Sequence, residues 1–384
     1  MMNEGQLLVE PLISLRVSID DAALAYDKLV DGNVVTIIMK YADAVEFDSN
    51  TINLSLPNAD SSYNMPGIPK VGVIGAGNFT KARLLPALKK SKAVLHTIAS
   101  AQGVSSASGG SKYGFQKNTN DLDMIWNSDE IDTVFVTTRH NLHAKLVSKA
   151  LQSDKNIFVE KPLCLTKSEL SDIRKLYHER IEFSHIRLMV GFNRRFAPQV
   201  QKMKMLLESI KGPKTMIMTV NAGKIPNDHW TQDSEIGGGR IVGEACHFID
   251  LLRFLAGETI TNYKIQFMDC ISKDTADIQL SFKDGSIATI HYYANGSKSF
   301  PKERLEVFAQ GGILQLDNYR KLTSFGWPGF KKMNLWQQDK GQKACVKAFV
   351  DAVSKGHSSP IPIEEIFEVS RISIKLLNQQ IIDL

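Results

Sequence analysis

The stretch Lys70-Val-Gly-Val-Ile-Gly-Ala-Gly-Asn-Phe-Thr-Lys-Ala-Arg-Leu-Leu-Pro-Ala-Leu88 decides how this chain is read. Val71, Val73 and Ile74 make a short apolar run suited to a buried strand. Gly75, Ala76 and Gly77 form a tight turn, and Leu84, Leu85 and Leu88 give the next helix an apolar stripe. Strand, glycine turn and helix in this order bring backbone N–H groups to a pyrophosphate at the helix N-terminus. Gly75 permits the turn and Gly77 the close approach, with Asn78 and Phe79 next at the helix entrance. Thr80 stands where a third glycine is usual, which weakens the fingerprint without destroying it.

The bulk composition sets the frame. A chain of 384 residues can hold two or three domains with substantial cores. Its net charge of +5 suits an anionic ligand but is too diffuse to indicate nucleic acid. Cys164, Cys246, Cys270 and Cys345 are scattered and form no CxxC pair, so neither a disulfide framework nor a structural zinc site is expected. The first residues lack a basic n-region and an apolar h-region, and no apolar run is long enough to span a membrane. A reducing cytoplasm is the expected compartment.

Residues 1–45 read as a strand at Leu12–Leu15, a helix with apolar positions Ala22, Ala23, Leu24, Tyr26 and Leu29, and a β-prone run at Val34–Met39. Residues 46–69 are rich in Ser, Asn, Asp and Pro and read as a linker. From Lys70 to Phe192, strands at Val94–Ala99, Thr133–Thr137, Asn156–Glu160 and Leu188–Phe192 alternate with helical patterns, which predicts a doubly wound parallel sheet. An NAD-selective site places a carboxylate after the second strand, but Ser100-Ala101-Gln102-Gly103 has none and no adjacent arginine, so NAD and NADP both stay open. Residues 193–384 change pattern. Thr215–Asn221, Ile278–Phe282, Ser286–Tyr293, Glu303–Ala309 and Gly312–Leu316 read as strands of a large, mostly antiparallel sheet, interrupted by a helix at Gly243–Leu255.

Four motifs follow in order: Gly75-Ala-Gly77; Thr138-Arg-His140-Asn-Leu-His143; Glu160-Lys161-Pro162; and Gly237-Gly-Gly-Arg-Ile-Val-Gly243-Glu-Ala-Cys-His247-Phe-Ile-Asp250. Together they resemble the glucose–fructose oxidoreductase and inositol dehydrogenase (Gfo/Idh/MocA) family, from about Lys70 to the C-terminus. The resemblance implies a Rossmann domain followed by an α+β domain. Residues 1–45 resemble the tail of a zinc-type medium-chain alcohol dehydrogenase, in the run Leu12-Ile-Ser-Leu-Arg to Val35-Thr-Ile-Ile-Met-Lys-Tyr41, without that family's zinc ligands or body. They look like the remnant of a module fused ahead of this one.

Lys161 ends a strand whose C-terminal edge faces the ligand crevice of an open α/β sheet, where it can hydrogen-bond a hydroxyl and move its proton. The resemblance implies that Lys161 acts beside the nicotinamide, that its bond to Pro162 is often cis, and that Glu160 fixes the nicotinamide ribose. Ser100, Thr138, His140 and His143 join the implied cofactor set, although His140 replaces an asparagine contact. His247 is the implied acid/base or orienting partner of Lys161. The family's aspartate at position 243 is a glycine here, and Glu244, at i, i+3 from His247, is the catalytic stand-in. Arg194 is implied to line the substrate pocket, Arg195 reads as an ion-pairing residue, and Trp230 suits stacking on a sugar ring. The spacing of Glu, His and Asp fits no common metal-ligand set.

These features lead to an NAD(P)-dependent oxidoreductase that interconverts a secondary alcohol and a ketone on a carbohydrate or sugar nucleotide. The protein is expected to self-associate as a dimer or tetramer, with neither nucleic acid nor membrane as a partner. Two rival readings are a reductase of a non-sugar carbonyl or diol, and a cofactor-binding sensor or scaffold without turnover.

Overall fold

The computed structural model describes residues 9–22, 25, 27–28, 34–41, 51–54, 67–101, 109–270 and 272–378. Two compact units, Met1–Asn50 and Thr51–Leu384, divide the chain.

In the first unit, β1 (Leu15–Ser18) pairs in parallel with β2 (Ile37–Lys40). The strand expected at Leu12–Leu15 lies further along, because Glu10–Leu12 is a 3-10 turn with Pro11 near its start. Proline's fixed φ suits a helical first turn. Of the expected helix, Ala23, Leu24, Tyr26 and Leu29 lie outside the described residues.

The second unit begins with a seven-stranded sheet in the order β3-β6-β5-β4-β7-β8-β9. Its strands are β3 (Thr51–Asn53), β4 (Lys70–Ile74), β5 (Val94–Ala99), β6 (Lys117–Thr119), β7 (Thr133–Val136), β8 (Asn156–Val159) and β9 (Leu188–Val190). All pairings are parallel except the edge strand β3 on β6. Thr51–Asn53 falls inside the stretch that reads as linker. Its Thr-Ile-Asn run takes the sheet edge, with Thr51 Oγ1 3.0 Å from Thr119 Oγ1 and the Leu54 N–H on the Gln116 carbonyl at 2.7 Å. Val71, Val73, Val134, Phe135, Ile157 and Phe158 are buried from both faces, as a helix-covered parallel sheet requires.

The eight-stranded sheet has the order β11-β12-β13-β10-β14-β15-β16-β17. These are β10 (Thr215–Asn221), β11 (Ile260–Phe267), β12 (Ala276–Phe282), β13 (Ile287–Tyr293), β14 (Glu303–Ala309), β15 (Gly312–Asp317), β16 (Lys321–Phe325) and β17 (Lys332–Asn334). Only β10 and β13 pair in parallel. Alternate residues such as Met216, Met218, Ile290, Tyr292, Leu305 and Val307 are buried. Helix Cys246–Ala256 packs behind them, Phe248 meeting Tyr292 at 6.3 Å between ring centroids. That helix carries His247, so sheet packing fixes the height at which the histidine enters the crevice. No described helix is long and apolar enough to cross a membrane.

Candidate active site

A cavity of about 1730 Å³ runs from the C-terminal edge of β4 and β5, past β7 and β8, to the helical turn Ile241–Ala245 and the start of β14. Its described lining carries nine Lys or Arg residues against Glu160 and Glu244, a balance that favours an anionic ligand.

The glycine turn forms one end. Gly75 has a φ of +104°, and a Cβ there would lie 2.7 Å from the Thr137 carbonyl oxygen, so only glycine lets β4 and β7 approach this closely. A Cβ on Gly77 would meet no atom within 4 Å. That opening, backed by the helical run from Thr80, is the cradle a pyrophosphate fits, and Asn78, Phe79 and Thr80 line it. Thr80 Oγ1 donates to Thr137 Oγ1 at 2.9 Å and ties the turn to β7 in place of a third glycine. Ser100, Ala101 and Asn120 line the edge beside β5, where no described lining residue is acidic.

Lys161 and His247 meet at the other end. Lys161 Nζ donates to the Gly243 carbonyl at 2.6 Å, and the Lys161–Pro162 bond is cis. Gly243 lies one helical turn before His247, so this bond brings the ammonium to the histidine's turn. His247 is buried and its Nδ1 has no hydrogen-bond partner among the described residues, an exception that buried nitrogens seldom show. Burial, then Arg194, Lys161, Lys340 and Lys302, hold its pKa well below the ordinary histidine value. The imidazole is therefore neutral and able to accept a hydrogen bond. Glu160 is walled in by burial, which pushes its pKa up to about 7 against the opposing charge of Lys161.

Other expected site residues take different posts. Glu244 does not turn to His247: its carboxylate accepts from Lys302 Nζ at 2.7 Å, Tyr292 OH at 2.6 Å and Arg240 at 2.9 Å. Burial would raise its pKa, but these donors outweigh it and hold the group far below the carboxylate range, a fixed anion instead of a proton carrier. Arg194 lines the cavity, yet both arms of its guanidinium bind Glu303 at 2.9 Å, and Lys340 joins that carboxylate at 2.6 Å. Arg195 is the ion-pairing residue that the sequence suggests, gripping Asp250 through two bonds and Glu365 at 2.9 Å. His143 is fully buried, its Nδ1 donating to the Pro162 carbonyl at 2.7 Å, and it braces the lysine's loop from behind. Trp230 is half-buried at the rim, 4.8 Å from the His140 ring, with the Arg139 guanidinium 5.9 Å over it. Thr138 lines the cavity between them.

Arg240, Tyr292, Lys302, Glu303 and Lys340 escape a sequence reading. Arg240 sits just before the turn Ile241–Ala245, at i, i+4 from Glu244, while the others arrive from β13, the start of β14 and the segment before helix Gln342–Ser354, far along the chain from Arg194 and Glu244. Among the described residues no three His, Cys, Asp or Glu side chains are placed to hold a metal ion.

Comparison with known proteins agrees with this construction. Residues 69–192 match the Gfo/Idh/MocA oxidoreductase family with an NAD-binding Rossmann fold, and residues 201–315 match the C-terminal domain of the same family. The chain belongs to the Gfo/Idh/MocA family of oxidoreductases, enzymes that act on CH–OH groups with a nicotinamide cofactor. It is 26% identical over 262 residues to the myo-inositol 2-dehydrogenase of Thermotoga maritima, covering 66% of this chain and 77% of that one. An uncharacterised oxidoreductase of Bacillus subtilis, YrbE, is also 26% identical over 262 residues, covering 66% of this chain and 74% of its own. A levoglucosan dehydrogenase solved with NADH and levoglucosan superimposes with a TM-score of 0.70 at 21% identity, over 81% of this chain and 96% of that one, a likeness of fold.

Proposed function

We propose that the protein interconverts a secondary alcohol and a ketone on a carbohydrate or cyclitol, with NAD or NADP as the acceptor or donor. One observation carries this reading. Lys161, just past the end of β8, and the neutral His247, whose Nδ1 has no hydrogen-bond partner among the described residues, line the same cavity as the glycine turn, and Lys161 Nζ reaches the carbonyl of Gly243, one turn before that histidine, at 2.6 Å.

Gly75, Gly77, Asn78 and Phe79 would hold the pyrophosphate of the cofactor, and Glu160 would accept from its nicotinamide ribose. The chemistry supplied by the bound cofactor is hydride transfer at the carbinol carbon. Lys161 Nζ binds the reacting hydroxyl and takes or returns its proton, and His247 orients that hydroxyl. The paired carboxylates Glu244 and Glu303 keep the surrounding cations in place without competing for the proton. Supporting a sugar-like substrate are the inositol and levoglucosan dehydrogenases among the relatives and the half-buried Trp230 at the rim.

The reading extends to self-association. Ile287, Tyr293, Phe308 and Phe325 are exposed on the eight-stranded sheet, an apolar display that a second copy would cover. Residues 1–45 take no part in hydride transfer on this reading, being a remnant of a fused dehydrogenase module.

The test is a screen of cyclitols, pyranoses and anhydrosugars with NAD and NADP, read as reduced nicotinamide formed. Turnover of at least one polyol is expected. Tight cofactor binding with no turnover of any polyol or ketose would replace this reading with the sensor.

A further inference from the structure

Gly243 poses a question that its own backbone does not answer. It sits in the helical turn Ile241–Ala245 with no left-handed φ, where alanine is a better helix former than glycine. A neighbouring ring supplies the reason. A Cβ at 243 would lie 3.0 Å from His140 Cε1 and 3.2 Å from His140 Nδ1, with the Gly237 carbonyl oxygen at 3.1 Å.

The His140 ring is fixed from three sides. Its Nδ1 lies 2.7 Å from the Gly237 carbonyl oxygen, which can only accept, so Nδ1 carries the proton. The Trp230 ring meets it edge-on at 72° and 4.8 Å. Gly243 closes the third side. Burial, and then the charge of Lys161, push the His140 pKa down to about 3, so the ring stays neutral at any working pH. This tautomer leaves Nε2 as a bare acceptor with no partner among the described residues, on a ring that lines the cavity.

The same Gly243 whose Cα faces His140 also gives its carbonyl to Lys161 Nζ. A charged donor and a neutral acceptor therefore flank one residue. Two adjacent hydroxyls match that pair: one meets Lys161, the other donates to His140. We propose that His140 Nε2 accepts a hydrogen bond from the hydroxyl next to the reacting one, making a vicinal diol the recognised group, and that position 243 is glycine to seat the ring. The substrate half of this inference rests on the function proposed above. An aspartate at 243 would instead add a further negative charge beside Lys161; the neutral imidazole adds none.

The test is a double-mutant cycle of His140→Ala and Gly243→Ala. Gly243→Ala alone is expected to lower the melting temperature. In the His140→Ala background the same change is expected to cost clearly less, because only the Gly237 carbonyl oxygen then remains close to the new Cβ. With myo-inositol, His140→Ala is expected to raise KM about tenfold, the loss of one hydrogen bond. Monodeoxy inositols lacking the neighbouring hydroxyl should no longer distinguish the variant from the wild type. Additive melting shifts would overturn the seating of the ring, and an unchanged KM would overturn the contact. Failure of every polyol to turn over would remove the function itself, while the melting cycle would still decide the seating.

Discussion

The two ends of the cavity are built on opposite plans. At the glycine turn, recognition comes from consecutive backbone: Gly75 to Thr80 offer N–H groups and an open space where Gly77 has no side chain. At the lysine end, recognition comes from buried ionised side chains, each matched to another. Arg194, Glu303 and Lys340 form one cluster, and Arg240, Glu244, Lys302 and Tyr292 a second. A dinucleotide's phosphates need donors along a line, which one turn provides. A proton-transfer site needs a fixed field, and buried charges persist only when paired, so this end draws on distant elements. Damage at the two ends should therefore read out differently, as lost binding at one and lost stability at the other.

Glu303→Gln should show the largest effect on folding. It removes the fully buried negative charge of the cluster and leaves Arg194 and Lys340 facing each other, at a cost of about 3 kcal/mol. A fall of several degrees in Tm is expected by calorimetry; an unchanged Tm would show that the cluster is not a folding constraint. At the opposite end, Gly77→Val should leave Tm alone, since nothing lies within 4 Å of its Cβ. It should weaken NADH binding on the order of a hundredfold by filling the cradle. Undiminished affinity in a fluorescence titration would remove the turn from the site.

Smaller effects sharpen the contrast. The Glu160 pKa is raised to about 7, so its carboxyl stabilises the cofactor-free fold most when protonated, and that contribution is lost as pH rises through about 7. Between about pH 5 and about pH 8 the wild-type Tm should fall relative to Glu160→Gln, and parallel curves would contradict the burial of that group. Removing residues 1–50 should change neither cofactor affinity nor turnover per folded molecule. Extending the deletion to residue 66 also takes β3 from the edge of β6, and stability should drop further. Equal melting curves for the two truncations would show that β3 adds nothing.

The same contrast explains what could be read from the chain. The turn, Lys161 at its strand end and the periodic Rossmann strands are local patterns, and each is legible in consecutive residues. Edge strand β3 is not, because a three-residue Thr-Ile-Asn run between polar stretches looks like linker until Thr119 is beside it. Glu244 shows the other limit. Its place three residues before His247 suggests a partner for the histidine, but Lys302, 58 residues away, and Tyr292, 48 residues away, claim the carboxylate. Arg195 could be assigned as an ion-pairing residue, whereas Arg194's partner Glu303 is 109 residues distant and carries no local signature. Gly243 reads in sequence as a lost carboxylate, and the His140 ring packed against it comes from a distant turn of the chain.

The central claim is that Lys161 moves the proton while the glycine turn holds the cofactor, and Lys161→Met tests it most directly. NADH affinity by fluorescence titration and steady-state turnover of the best polyol are measured on the same preparation. The account predicts affinity close to wild type with turnover reduced on the order of a hundredfold or more. Turnover near the wild-type rate would contradict it.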